Sequence, residues 1–139
     1  MKKINTLLAA SMLMLGAACQ STNNNAAATS IDGEWKVTTL NGQEVPETMK
    51  EPTLSFNEAE QTYNGVTGIN SISGNYTQEN GSVSFSDGPM TKMAADSVSM
   101  EVENSYVKAL LTAKTLTEED GTLLLKDENG NTLMSLTRK

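Results

Sequence analysis

Three tight turns constrain this chain more than any other feature. Asn41-Gly42, Asn80-Gly81 and Asp120-Gly121 each follow a run of strand-forming residues, and such dipeptides favour the two-residue turn that joins antiparallel strands. The second is the clearest: residues 72–78 lead through it into 82–87, where Val83 and Phe85 share a face. Upstream, residues 34–40 put Trp35 and Val37 on one side, and residues 52–57 do the same with Leu54 and Phe56. Residues 114–118, 122–126 and 132–137 read as three more strands. Asn129-Gly130-Asn131 supplies a further turn among them, so an antiparallel meander is expected.

One segment departs from this rhythm. Residues 97–113 contain neither Gly nor Pro, and Asp96 is placed to cap them as a helix. At 100° per residue, Val98, Val102, Tyr106, Ala109, Leu110 and Ala113 fall within about 120° of arc. Met100, Val107 and Leu111 broaden that side, which predicts burial against more than one surface, as for a helix lying across the mouth of a curved sheet.

The N-terminus speaks of address. Lys2 and Lys3 precede a short apolar run, residues 4–15, and Leu15-Gly16-Ala17-Ala18 lead into Cys19, the single cysteine. This resembles a bacterial lipoprotein signal, cut before a cysteine that then carries acyl chains. Gly16 stands where such signals usually hold Leu. A plain export signal cut after Ala18, a cut after Ala28, and an uncleaved anchor are the other readings, the last falling short of the ~20 apolar residues a span needs. The expected organisation is residues 1–18 as signal peptide, 19–30 as lipidated cysteine and polar tether, and 31–139 as one domain. A coil-like tether of this length reaches on the order of 20 Å. The expected location is the envelope, lipid-anchored in the outer membrane and facing the periplasm.

Removing Lys2 and Lys3 with the signal leaves eight basic against seventeen acidic residues, a net charge of −9. That balance argues against nucleic acid and against a second, electrostatic hold on anionic lipid. With Cys19 acylated there is no thiol for a disulfide. The chain has no histidine, which removes Ser-His and Cys-His nucleophile pairs and the commonest zinc ligand.

A family resemblance lies in an ordered set of motifs. Gly33-Glu34-Trp35, Asn41-Gly42 and Pro52-Thr53-Leu54-Ser55-Phe56 come first, then Gly68-Ile69-Asn70, Ser73-Gly74-Asn75-Tyr76 and Thr91-Lys92-Met93-Ala94-Ala95. Met100-Glu101 on the helix and a closing hairpin from Leu123-Leu124-Leu125 to Leu133 complete it. Across residues 31–139 this resembles the META domain, whose members include HslJ-like heat-shock proteins of bacterial envelopes. The resemblance implies a mainly β (α+β) fold, a single antiparallel cracked or half β-barrel with one helix packed across it. It also implies a stress-related or secretion-related role without established catalysis, on a fold akin to that of lipid-binding pilotins. Ile69 and Ala95 occupy positions where many members carry cysteine, so thiol chemistry is not expected, and the paired loss suits two positions close in space.

The candidate site residues follow from the same motifs. Gly68, Asn70, Gly74, Thr91 and Met93 are expected to set turn and bulge geometry or to line a partner groove. Met90, Met93 and Met100 bracket the helix start, as core filling or as an adaptable binding lip. Glu103 sits at the edge of the apolar face and is a candidate partner for Lys92. Ser97 follows Asp96 in a bacterial O-glycosylation pattern. The acidic pairs near Asp120 and Asp127 lack the register of a calcium loop and suit turns, so no metal and no cofactor beyond the Cys19 lipid are expected. The preferred expectation is a non-catalytic envelope lipoprotein that binds a protein or protects against stress. The alternative is a carrier or sensor of an acyl chain or other apolar ligand in the half-barrel, and an enzyme comes last.

Overall fold

A computed structural model describes residues 30–139, and the folded unit is Asp32–Lys139. The signal, Cys19 and the tether up to residue 29 lie outside the described residues. The strands are β1 (Gly33–Leu40), β2 (Gln43–Glu44), β3 (Thr53–Asn57), β4 (Thr62–Val66), β5 (Ser71–Glu79) and β6 (Ser82–Phe85). After helix α1 (Ser97–Thr112) come β7 (Thr115–Glu119), β8 (Thr122–Lys126) and β9 (Thr132–Arg138). The expected order of elements is present, with two strands the sequence did not signal, β2 and β4.

Every pairing is antiparallel, and β9 pairs with β1 to close an eight-stranded barrel with β2 appended beside β1. Closure removes the unpaired edges that an open sheet would offer to other chains. The ring is thinnest between β6 and β7, joined in register only at Ser82 and Thr115. Backbone bonds from Val83 N to Lys114 O (2.9 Å) and Leu116 N to Gly81 O (2.9 Å) complete that joint, which gives the expected crack its place. Asn41, Asn80 and Asp120 each take φ near +54° ahead of a glycine at +81° to +88°. Two successive positive φ values match the right-handed twist of the strands they connect.

Alternation along the strands fills the interior. Trp35, Leu54, Tyr63, Leu123, Leu125, Met134 and Leu136 are essentially inaccessible. Tyr63 meets Phe85 edge-on at 5.3 Å, and Phe56 meets Tyr76 at 5.2 Å, the geometry favoured by ring quadrupoles. Where the barrel begins at Trp35, the Arg138 guanidinium lies 4.2 Å over its indole ring and donates to the Asp32 carbonyl at 2.6 Å.

The helix packs on β1, β6 and β9. Asp96 caps it: one carboxylate oxygen accepts from Ser99 N at 2.8 Å, the other from Ser99 Oγ at 3.0 Å. Its buried stripe is Ser99, Val102, Tyr106, Ala109 and Leu110, about 100° of arc. Burial against several surfaces is therefore not what the helix does. Val98, Met100 and Leu111 are 44–47 % exposed, because one barrel mouth covers one stripe and leaves the flanks in water.

Candidate functional site

The turn after β4 gathers most of the motif residues. Thr67 N donates to Asn70 O at 2.8 Å, and the Thr67 hydroxyl accepts from Asn70 N at 3.0 Å. Between them Gly68 takes φ +111°, a conformation that L side chains avoid. The turn presents the Asn70 side chain inward, and only 2 % of that residue is exposed.

Asn70 uses its whole amide. Its oxygen accepts from Met93 N at 2.7 Å and from the Thr91 hydroxyl at 3.0 Å. Its nitrogen donates to Met93 O at 3.2 Å and to Glu103 at 2.7 Å. The same Glu103 oxygen accepts from the Thr67 hydroxyl at 2.6 Å. Two acceptor and two donor positions are thus all occupied, which is the most a buried amide can make. The node ties three separate parts of the chain together: the turn after β4, the loop before α1, and the second turn of α1.

A second tie lies beside it. The Ser99 hydroxyl, fully buried, accepts from Met49 N at 2.9 Å, and Lys50 N donates to Gly68 O at 2.8 Å. The loops holding Met49 and Met93 are therefore fixed in backbone, while their side chains stay 53 % and 48 % exposed. With Val98 and Met100 they make four half-exposed apolar residues around the helix start.

The candidate residues sort as follows. Gly68, Asn70, Thr91 and Met93 come together in the node. Asn70, next to Ile69, bonds both backbone groups of Met93, two residues before Ala95. Gly74 stands apart and acts by size, because an added Cβ would lie 2.9 Å from the Tyr63 ring. The Tyr63 hydroxyl crosses there to donate to Ser86 O at 2.9 Å. Ser97 is exposed at the first helical position. Glu103 is half-buried and takes hydroxyl and amide donors, and no salt bridge among the described residues joins it to Lys92. The sequence reading missed Thr67, whose only signal is a hydroxyl three residues before Asn70.

Electrostatics here serve structure. The Ser99 backbone N–H holds the Asp96 carboxyl below its usual range. At the β8–β9 turn, the Asn131 N–H does the same for Asp127. Burial pushes the phenols of Tyr63, Tyr76 and Tyr106 upward, Tyr76 to about 12. Among the described residues no three His, Cys, Asp or Glu stand together to hold a metal ion, and no helix is long and apolar enough to cross a membrane.

Solved structures share this fold. A DUF4847 family protein from Bacteroides vulgatus is 17 % identical, with TM-score 0.56 over 78 % of this chain and 94 % of that one. A protein from Burkholderia xenovorans, solved by NMR, is 19 % identical, with TM-score 0.60 over 84 % and 95 %. Another NMR structure reaches 23 % identity and TM-score 0.59 over 76 % and 88 %. At such identities the likeness is one of fold. No curated protein matches the sequence. The META domain family matches residues 27–139, and the chain belongs to that family.

Proposed function

We propose that this META-domain chain is a non-catalytic lipoprotein of the bacterial envelope, anchored through Cys19, that works by holding a partner protein in a stress-related role. The observation that carries the interaction half is the contrast between interior and surface. Interior positions are taken by Trp35, Leu54, Tyr63 and Tyr106, each at most 1 % exposed, and the rings of Phe56, Tyr63, Tyr76 and Phe85 meet one another. A carrier of acyl chains would need that space empty. Outside, Met49, Met93, Val98 and Met100 remain half-exposed on hydrogen-bonded backbone. Methionine adapts its shape to a partner, and exposed apolar groups held on both flanks of the helix start are available for contact.

The anchoring half rests on the N-terminal pattern and on charge. Without its signal the chain carries net −9 and has no electrostatic hold on an acidic bilayer, so residence there needs the Cys19 lipid. Two measurements test the proposal. Cys19→Ala should move the protein from the detergent phase to the aqueous phase, and unchanged partitioning would sink the anchor. A photo-crosslinking residue in cells at position 93 or 100 should give a discrete protein adduct that the same residue at position 77, on β5, does not. Equal labelling at all three positions, or none at any, would sink the interaction role.

A further inference from the structure

The outer face of the barrel carries a polar groove that the exposed methionines do not line. It is a groove of about 530 Å³, within the ~300–1,000 Å³ range of small-ligand sites. Register builds its floor. Glu34, Ser55, Asn64 and Ser73 are successive cross-strand neighbours on β1, β3, β4 and β5. Val66 and Ser71 form a parallel row two residues along. Neighbouring strands stand about 4.8 Å apart and the rows about 6.6 Å, so polar groups repeat regularly across the floor.

The wall comes from the loop before α1. Met90 bridges Ile72, Ser73 N donates to Pro89 O at 3.2 Å, and Thr91 N donates to Ser71 O at 3.1 Å. Gly88 allows this close pass, since a Cβ there would lie 1.8 Å from Ser73 O. Thr91 spends its hydroxyl on the fold, accepting from Ser71 N and donating to Asn70. The side chains of Ser55, Asn64, Ser71 and Ser73 do not: among the described residues they hold nothing and face the groove.

We propose that this groove binds an uncharged oligosaccharide. Hydroxyl and amide groups on the floor suit sugar hydroxyls, while Val66 and Met90 offer an apolar strip to a pyranose face. The lining holds one charged group, Glu34, and no cation, which disfavours phosphorylated or acidic ligands. An extended peptide is disfavoured too, because β3 and β4 are paired on both sides and offer no free backbone edge.

The test is an NMR titration of the full ¹⁵N-labelled chain in dodecylphosphocholine, a detergent without a sugar headgroup. Maltotetraose and tetra-N-acetylchitotetraose are the probes, and tetra-alanine is the peptide control. Saturable shifts at Ser55, Asn64, Ser73 and Thr91 with either sugar are expected, and the responding sugar tells hexose from amino-sugar preference. Ser73→Leu or Asn64→Leu, each filling the floor, should weaken binding about 10-fold, while Thr77→Leu leaves it unchanged. The proposal is overturned if neither sugar shifts these amides by about 20 mM. It is equally overturned if the shifts centre on Met93 and Met100, or if tetra-alanine reproduces them.

Discussion

Replacing Gly65 by alanine drives a methyl carbon into the phenol that plugs the barrel. Gly65 sits on β4 with Tyr106 of α1 over it, and an added Cβ would lie 2.0 Å from the Tyr106 hydroxyl and 2.8 Å from Thr53 O. The hydroxyl donates to that same Thr53 carbonyl at 2.5 Å, so retreat breaks a buried hydrogen bond. Overpacking costs about 1–3 kcal/mol, and the displaced Tyr106 hydroxyl, buried without its acceptor, adds about 1–2 kcal/mol. The expected loss is about 3–4 kcal/mol, or roughly 15 °C in Tm for a domain of this size. Tyr106→Phe alone should cost about 1–2 kcal/mol. In the double variant the next ring atom stands at 3.2 Å, so the two losses should fall short of their sum by about 1.5 kcal/mol or more. Urea unfolding followed by the single, fully buried Trp35 reads all four proteins. Additivity within about 0.5 kcal/mol would refute the contact.

Other outcomes follow from the same geometry. Asn70→Ala should cost about 3 kcal/mol and strip hydrogen-exchange protection from Met93 N, whereas Glu103→Gln, which keeps an acceptor oxygen, should cost under about 1 kcal/mol and Glu103→Ala more. Thr117 Oγ1 is buried without a partner, so Thr117→Val should be neutral or stabilising by about 1 kcal/mol in the same urea assay. The raised Tyr76 phenol contributes stability that is intact below pH 10 and lost as pH climbs toward 12. Tyr76→Phe should therefore flatten the fall of the urea midpoint in that window. The lowered Asp96 and Asp127 carboxyls act oppositely, contributing above their ordinary value of 3.8 and losing that contribution as pH falls further; Asp127→Asn should shrink the acid-side loss.

What the sequence disclosed was whatever its local chemistry sufficed to specify. The Asn-Gly and Asp-Gly turns, the alternation around Trp35 and Phe85, and the Asp96 cap need no distant partner. Strand β4 was illegible because Asn64 and Gly65 interrupt its alternation, and its inward glycine makes sense only beneath Tyr106, which arrives from the helix. The node was half legible: Gly68, Asn70, Thr91 and Met93 stood out as motifs, but Thr67 and Glu103 join them only once three segments meet in space. The helix misled for a related reason. Periodicity shows which residues are apolar and not how wide the receiving surface is, so Met100 and Leu111 looked buried and are exposed. The outer groove had no sequence signal at all, since scattered serines acquire a common face only through strand register.

Native mass spectrometry of the chain released from its own envelope tests the account most directly. The predicted spectrum is the processed polypeptide beginning at Cys19, with or without a bound protein, carrying covalent acyl groups and no further small apolar molecule. A stoichiometric, non-covalent acyl lipid that survives transfer would contradict the filled barrel and return the domain to the carriers. A mass without acylation would contradict the anchor.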